Sequence, residues 1–369
     1  MIGQASKSGL VFCLTFLWAG FFVTTGFFVT AGFFSSAEAQ TPGRAQRSDP
    51  DWQAPRTEWG HPDLQGNWSN ATLTPFERRR GQGPVYTQAE VDQLEGREQS
   101  TVQTGSDPSD PERGPPPVTG SIGRSYNQIY YDRGDGVARV NGEPRTSLIT
   151  FPSDGRIPEL TPEGARRKRE YHDFRSQFGE FDHPELRPLA ERCIVFYGSS
   201  SASVMGPPMT PTRGYNNNFT IVQDALYVLI MSEMIHDVRI IRLGEPNRLP
   251  ANVRPWFGDS WGRWEGNTLV VETTNIHPSH GMREQTDKIV HSEDLSAIER
   301  FTRTDDDSIL YEFEIHDPRT YTQVWGGEVP WRKYDQQIFE YACHEGNYAL
   351  GNVLSGARYQ ERIAAQGSR

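Results

Sequence analysis

The sequence contains little cysteine, three residues in a chain of 369, and it lacks the local signatures of several enzyme classes. It has no G-x-S-x-G elbow, no G-x-x-x-x-G-K-[ST] phosphate loop and no G-x-G-x-x-G turn between a strand and a helix. The pair His344-Glu345 is followed by Tyr348 where a zincin helix carries its second histidine. These absences argue against nucleotide-driven chemistry, a hydrolase-type serine and a zincin metal site.

Basic residues are not concentrated in a stripe, and the net charge is −11. The one basic run, RRKR at 166–169, follows Thr161-Pro162-Glu163, which has the pattern of a helix start. We interpret the run as a solvated helix face rather than as a phosphate-binding patch. Because an acidic chain is repelled by nucleic acids and anionic membranes, we expect neither as a partner.

The N-terminal 39 residues differ from the rest of the chain. Lys7 precedes an apolar run that ends at Phe34, and Ala37 and Ala39 then match the small-x-small pattern that signal peptidase cleaves. We expect residues 1–39 to be a signal peptide and the mature protein to be periplasmic or secreted. The alternative is an uncleaved anchor, since about 25 apolar residues can span a bilayer.

Cleavage would leave two cysteines, Cys193 and Cys343. In an oxidising compartment such a pair is interpreted first as a disulfide, and closing a loop of about 150 residues would stabilise the fold by roughly 5 kcal/mol at most. The alternative is that Cys343 is a nucleophile, because His344 and Glu345 follow it directly in CHEGNY. If Cys343 is bridged instead, those two residues remain candidate acid/base groups beside the bridge.

Composition divides the mature chain into zones. Residues 40–125 carry little hydrophobic pattern, so we expect an extended, loop-rich region with one short helix in YTQAEVDQLEGRE. The Pro-, Gly- and Ser-rich stretch at about 100–120 predicts a disordered linker. We expect one β-rich domain over 126–358, with a helix from about Pro162 to Phe178, and a C-terminal tail over 359–369.

The clearest pattern in the chain is β. From 207 to 343 several segments alternate apolar and polar residues, for example with Tyr311, Phe313 and Ile315 on one side, which is typical of half-buried antiparallel strands. The runs EGN and DDDS between such segments predict turns. Six or more strands at hairpin spacing favour an antiparallel meander closed into a barrel or a sandwich, because closure removes exposed edges. We therefore predict a mainly β (α+β) protein with a few peripheral helices and long loops; an open sheet backed by helices is the alternative.

Several motifs together resemble a large, mostly uncharacterised family of secreted proteins from Gram-negative bacteria. They occur in the same order, cover about 57–358, and include GHPDLQGNW, EMIHDVRII, WGRWEGNTLVVETTN and CHEGNY. The resemblance implies a bacterial, exported protein and supports pairing Cys193 with Cys343, but it implies no activity. In shape, the β-rich half is also similar to lipocalin-type or calycin-like barrels.

The stretch SEMIHDVRI gathers the most suggestive polar side chains. His236 with Asp237 or Glu233 is a candidate general base, since a neighbouring carboxylate orients a histidine ring and stabilises its cation. Arg239 is a candidate ligand-binding residue on the same strand. The alternative is a hairpin turn with an Asp–Arg pair on the surface.

Two further segments offer ligand-binding side chains. The amides in GYNNNF can bind ligand hydroxyls or cap a turn. The tryptophans 256, 261 and 264 in and before GDSWGRWEG can stack on a flat ligand or pack at a barrel end. The resulting candidates are Asn216, Asn217, Asn218 and Trp264.

These observations predict an exported barrel enclosing a pocket for a small, partly apolar organic molecule. If it is an enzyme, we expect a lyase, hydratase or isomerase using His and carboxylate groups without a cofactor, and nothing in the spacing of the histidines requires a metal. The alternatives are a non-catalytic ligand- or glycan-binding module and a structural envelope protein.

Overall fold

The alternating segments of the sequence form strands in a computed structural model of the chain. The structure describes residues 52–105, 112, 132–196, 205–212, 214–235, 237–283 and 287–367, so the expected signal peptide and most of the expected linker lie outside the described residues. The strands are β1 Gly66–Ser69, β2 Arg139–Val140, β3 Glu143–Pro144, β4 Ile149–Phe151, β5 Asn218–Gln223, β6 Tyr227–Ser232, β7 Val238–Leu243, β8 Asp259–Glu265, β9 Thr268–Thr274, β10 Gly281–Met282, β11 Ile289–Val290, β12 Ser296–Asp305, β13 Ser308–His316 and β14 Trp325–Lys333. The helices are α1 Gln88–Gly105, α2 Pro162–Arg175 and α3 Ala349–Gly367, with a 3-10 turn at Pro184–Leu186.

In the described part of the chain, nine strands close into a barrel. Their order is β1-β5-β6-β7-β8-β9-β12-β13-β14, and β14 pairs with β1 to complete the ring. Neighbouring strands are antiparallel except for β7 and β8, where Ile241 pairs in parallel with Ser260. The structure therefore confirms a mainly β barrel with peripheral helices and long loops.

The barrel is closed by strands that share one edge of β14. The end of β14 pairs with β1, and its beginning pairs with β4, where Gly327 lies opposite Ile149. A Cβ atom added at Gly327 would overlap the carbonyl oxygen of Leu148, and one at Gly326 would overlap that of Phe313. The glycine pair in VWGGEV is thus required by the close approach of three strands.

Aromatic side chains fill much of the barrel interior. The ring centroids lie 4.8 Å apart for Phe219 and Trp331, 5.0 Å apart for Phe301 and Tyr311, and 5.9 Å apart for Tyr311 and Phe313, and all of these residues are buried. Such pairs contribute about 0.5–1.5 kcal/mol each beyond their area burial. The part of the barrel lined by these rings is packed core, as in other small barrels.

The two ends of the barrel differ. Short turns at 224–226, 266–267 and 306–307 join strands at one end. The opposite end, which we call the loop end, carries the long segments 205–217, 275–295 and 317–324. Three long connections thus meet at the loop end, and such loops on a rigid scaffold are where proteins commonly build a site.

The first helix contains the predicted capping box and extends further than predicted. Glu90 Oε2 accepts from the backbone N–H of Thr87 at 2.8 Å, and Thr87 Oγ1 accepts from the N–H of Glu90 at 3.3 Å. The helix continues to Gly105, so residues 100–105, which we assigned to the linker, are helical. Residues 40–125 are also not merely loop-rich, since they supply the barrel strand β1.

The other two helices lie close to their predicted positions. Thr161 caps α2, its Oγ1 accepting from the N–H of Gly164 at 3.0 Å, and the helix ends at Arg175 rather than Phe178. The expected tail over 359–369 belongs largely to α3, which runs to Gly367. In the segments that the structure describes, no helix has both the length and the apolar character needed to cross a bilayer.

Candidate functional site

The SEMIHDVRI stretch forms the hairpin between β6 and β7 at the loop end. The N–H of Ser232 donates to the carbonyl of Asp237 at 3.2 Å, which closes the turn. Glu233 Oε2 accepts from Asn218 Nδ2 at 3.1 Å. His236 lies outside the described residues, so its pairing with Asp237 or Glu233 stays a prediction.

Arg239 lies inside the barrel rather than in a surface pair. It is 3% exposed, and its Nη1 donates to Oε1 of Glu299 at 2.8 Å while Nη2 pairs with Oε2. Its Nε donates to Ser260 Oγ at 3.2 Å and Nη2 to Thr273 Oγ1 at 2.7 Å. These contacts give Arg239 a structural role inside the barrel, and its contact with a ligand stays a prediction.

A tyrosine completes this buried cluster. Tyr311 donates its hydroxyl proton to Glu299 Oε1 at 2.9 Å and accepts from the N–H of Met209 at 2.9 Å. Burial and the charge of Glu299 raise the pKa of Tyr311 well above its usual value, so the phenol stays protonated. Burial opposes the charge of Arg239, but Glu299 outweighs it and raises the pKa of the guanidinium. The cluster is therefore a satisfied ion pair with fixed protons.

The three asparagines at 216–218 hold turns at the loop end: Asn216 and Asn218 contact the same hairpin, and Asn217 contacts Thr212. Asn216 Oδ1 accepts from the N–H of Met234 at 2.7 Å and from the hydroxyl of Ser232 at 3.0 Å, and its backbone has a positive φ of 59°. Asn217 Oδ1 accepts from the N–H of Thr212 at 2.8 Å. Asn218 binds Glu233 as described above. The contacts thus favour the turn-forming alternative over ligand binding.

The tryptophans that are close in sequence are separated in space. Trp264 stacks on His61 with ring centroids 5.3 Å apart, at the end with short turns, as expected for barrel-end packing. Trp261 lies under the guanidinium of Arg242 at 4.4 Å. Trp256 precedes β8 in the chain and lines a cavity instead. The three side chains do not form one stacking platform.

Cys193 and Cys343 form a disulfide with Cα atoms 5.9 Å apart, which confirms the predicted bridge. Cys343 is therefore not a free nucleophile. His344 and Glu345 lie next to the bridge and are exposed to solvent. Their position leaves them without the buried, tuned surroundings that acid/base residues usually have.

A cavity of about 1260 Å³ lies between α2 and the segment that follows it, and we call it the aromatic groove. One wall is the end of α2 and the other is the segment 178–192, while residues 256, 277, 279 and 288 also line it. Its aromatic side chains are Tyr171, Phe174, Phe178 and Trp256. Sequence reasoning missed this groove, although the exposed Phe174 and Phe178 at the end of a predicted helix were a signal for it.

The wall formed by 178–192 is anchored to the rest of the molecule. Leu189 and Val195 form a small apolar cluster against Trp256 and Phe257. Arg175 Nη2, at the end of α2, donates to the carbonyl of Leu186 at 2.8 Å. The disulfide at Cys193 ties the end of this wall to the segment before α3. The groove is therefore held in shape by covalent, apolar and hydrogen-bonded contacts.

Lys288 supplies a positive charge to the groove lining. It is 6% exposed, donates to the carbonyl of Ser279 at 2.8 Å and lies 5.1 Å above the ring of Tyr171. His277 stacks on Trp256 with centroids 4.0 Å apart, and its Nδ1 accepts from the N–H of Ser279 at 3.1 Å. Burial, together with the charge of Lys288, lowers the pKa of His277, which favours a neutral ring.

Two buried histidines lie near this lysine. Burial, aided by the charges of His291 and Lys288, lowers the pKa of His280 to about 3. Burial also lowers the pKa of His291 to about 4, against the opposing effect of Asp317. His291 Nε2 lies 3.1 Å from the hydroxyl of Tyr321. Both rings are neutral at physiological pH and form part of the packing behind the groove.

Neither a metal-binding cluster nor a similar protein indicates the chemistry of this site. Among the described residues, no group of three or more His, Cys, Asp or Glu side chains is placed to hold a metal ion. No family model, no curated protein and no solved structure matches the chain. Its chemistry has to be inferred from the groove itself.

Proposed function

We propose that the protein is an exported β-barrel protein that binds a small, partly apolar organic molecule in the aromatic groove. The observation that carries the proposal is a cavity of about 1260 Å³ with four aromatic side chains and a charged lysine in its lining. Ligand sites are typically concave, rich in apolar and aromatic groups, and supplied with a few polar groups that orient the ligand. The groove has each of these properties.

The exposure of its phenylalanines supports ligand binding. Phe174 is 55% exposed and Phe178 is 42% exposed, and their rings meet edge to face with centroids 5.2 Å apart. Covering exposed apolar surface with a partner contributes a favourable free energy of about 25 cal/mol for each Å² removed from water. A ligand lying between the two walls would recover part of this free energy.

Hydrogen bonding in the groove favours binding over catalysis. His277 Nδ1 already accepts from Ser279, so the neutral ring carries its proton on Nε2. A ring in this state donates a hydrogen bond and has no vacant lone pair with which to take a proton. We therefore place the non-catalytic binding module ahead of a lyase, hydratase or isomerase for this groove.

The disulfide supports export. Disulfides persist in oxidising compartments such as the periplasm and are rare in the bacterial cytosol. The Cys193–Cys343 bridge spans 150 residues and anchors the groove wall, so the folded site benefits directly from oxidation. This agrees with the signal peptide that the first 39 residues predict.

Binding can be tested with cinnamyl alcohol and cinnamate, which share one aromatic skeleton, by titration calorimetry. We expect saturable binding of at least one of them, weakened about fivefold to tenfold by Phe178→Ala, since the ring offers apolar contact area. Phe339→Ala is the matched control, because Phe339 is 68% exposed and does not line the groove. The proposal fails if neither compound binds, or if the two alanine variants bind equally.

A further inference from the structure

We infer that the aromatic groove takes an uncharged, flat aromatic compound with a carbonyl or ether oxygen, and that Nε2–H of His277 donates to this oxygen. The inference rests on the proposed function and adds the chemical class of the ligand and the residue that recognises it. It is carried by the fixed hydrogen-bonding state of His277 and by the balance of charges in the groove lining.

The ring of His277 is held in one orientation by its neighbours. It stacks on Trp256 with ring centroids 4.0 Å apart and an interplanar angle of 24°. Its Nδ1 accepts from the N–H of Ser279 at 3.1 Å, and its backbone N–H donates to the carbonyl of Pro255 at 3.0 Å. The ring therefore presents Nε2 in a defined direction, which is what recognition of a single ligand atom requires.

The second ring nitrogen of His277 is a donor that the chain itself leaves for a ligand. Burial lowers the pKa of His277 and Nδ1 is occupied, so the ring is neutral and its proton lies on Nε2. Over the residues that the structure describes, no side chain or backbone group accepts from this nitrogen, and His277 belongs to the groove lining. A polar group of this kind in an otherwise aromatic cavity typically orients a ligand.

The charges that line the groove balance one another. The lining holds four carboxylates and four cations, namely Glu180, Asp182, Glu185 and Glu191, and Arg175, Arg187, Arg192 and Lys288. Arg187 donates from Nη1 to Glu180 at 2.6 Å and from Nη2 to Glu191 at 2.8 Å. Asp182 lies 3.6 Å from Nη2 of Arg358 on α3. Three of the four carboxylates are thus paired with arginines before a ligand arrives.

The other charged groups of the lining do not favour a charged ligand either. Nζ of Lys288 and Nη2 of Arg175 each donate to a backbone carbonyl at 2.8 Å. Glu185 and Arg192 form no ion pair among the described residues, but their charges are opposite in sign. A charged ligand would lose its hydration against a lining with no net countercharge, and an uncharged ligand avoids that cost.

The aromatic side chains around His277 supply the flat contact surfaces. Tyr171, Phe174 and Phe178 line the same cavity of about 1260 Å³ as Trp256 and His277. A planar ring packs favourably on such faces. A planar compound with an oxygen acceptor therefore combines apolar contact with one directional hydrogen bond.

Three compounds with one phenylpropenyl skeleton test the inference by titration calorimetry. Methyl cinnamate carries an uncharged acceptor, cinnamate a charged one, and β-methylstyrene none. We expect methyl cinnamate to bind at least about fivefold more tightly than β-methylstyrene, the size of one neutral hydrogen bond, and no more weakly than cinnamate. Raising the salt concentration from about 0.05 M to about 0.5 M should leave its affinity unchanged.

His277→Phe keeps an aromatic ring beside Trp256 and removes the donor. It should weaken the binding of methyl cinnamate about fivefold and change that of β-methylstyrene by less than about twofold. His344→Phe is the matched control, because His344 is exposed and does not line the groove. The lining holds a second histidine, His183, whose Nδ1 accepts from the N–H of Glu185 at 3.2 Å. A loss of affinity in His183→Phe but not in His277→Phe would overturn the assignment.

Infrared spectroscopy checks the hydrogen bond in the unmodified protein. The probe is methyl cinnamate labelled with carbon-13 at its carbonyl carbon. A carbonyl that accepts from His277 absorbs at a lower frequency than the same compound in an apolar solvent, and His277→Phe should reverse this shift. A bound ester without the shift would refute the inference, even if the variant did not fold.

The outcomes distinguish the two proposals. If none of the three compounds binds, the groove is not a ligand site and both proposals fall. If all three bind and Phe178→Ala weakens them while His277→Phe changes nothing, the groove binds ligands but His277 does not recognise them. If cinnamate binds more tightly than methyl cinnamate, the groove prefers anions and the inference is refuted.

Discussion

Arg239 on β7 and Glu299 on β12 form a two-point ion pair inside the barrel, although the strands that carry them are separated in the sheet by β8 and β9. Those two strands contribute Ser260 and Thr273, which accept from the same guanidinium. The pair thus connects four consecutive strands from within. A buried pair of this kind adds little net stability over apolar residues, but removing one partner leaves an uncompensated charge.

Glu299→Gln should therefore destabilise the protein strongly. We expect a loss of about 3–5 kcal/mol in the free energy of unfolding, because Arg239 would remain charged and buried. Urea unfolding measures it. The control is Glu314→Gln, whose pair with Arg300 at 2.6 Å is about one third exposed and should contribute about 1 kcal/mol or less. Equal losses in the two variants would contradict a special role for the buried pair.

Stability should fall as the pH drops below about 6.5. His280 and His291 have folded-state pKa values of about 3 and about 4, whereas the unfolded chain takes up protons near 6.5. Between these values the unfolded state binds more protons, so stability rises with pH by up to about 1.4 kcal/mol per unit for each histidine. Urea unfolding at several pH values between about 5 and 6.5 measures this slope. Most carboxyl groups titrate below this range and contribute little to it. His291→Gln should reduce the slope; an unchanged slope would show that His291 is already charged.

Loss of the disulfide should weaken both the fold and the groove. We expect Cys193→Ser/Cys343→Ser to lose about 2–5 kcal/mol of unfolding free energy, because an unbridged chain gains entropy when it unfolds. The wall at 178–192 ends beside Cys193, so ligand affinity should fall as well. Unfolding with and without reductant checks the first effect, and the double variant should not respond to reductant. If reductant also left the unfolding free energy of the wild-type protein unchanged, the bridge would not be formed.

Asn216→Ala should destabilise the hairpin between β6 and β7. The substitution leaves the N–H of Met234 and the hydroxyl of Ser232 without their acceptor and places alanine at a positive φ. A cost of about 1–3 kcal/mol follows for the lost buried acceptor. Thermal or urea unfolding can be compared with Asn352→Ala on the exposed face of α3, which should change stability by about 0.5 kcal/mol or less.

The sequence predicted most of the barrel because its strands are half-buried. In β12 and β13, alternation marks the inward side chains directly, and the DDDS turn separates them as expected. The four-residue strand β1 was missed because it is too short for a pattern to show. Strand β8 was not assigned either, because glycine and tryptophan obscure its alternation.

The site was much harder to predict than the fold. The disulfide could be inferred, since only two cysteines remain after the apolar N-terminus. The export predicted by that segment would place both of them in an oxidising compartment. The aromatic groove could not be inferred, because its lining comes from residues between 171 and 192 and from residues 256, 277, 279 and 288, which only tertiary packing brings together. The buried ion pair of Arg239 could not be predicted either, because a charged residue in a strand usually faces water and its partner Glu299 lies 60 residues away.

The parallel pairing of β7 with β8 has a topological consequence. Strands around a ring can alternate in direction throughout only when their number is even, and this barrel, over the described residues, has nine. One pair must therefore run the same way, and the chain between its members has to return along the whole length of the barrel. That return is the segment 244–258, which leaves the end with short turns and delivers Trp256 to the loop end. The odd number of strands thus requires a long connection in this barrel, and that connection carries Trp256, which lines the groove.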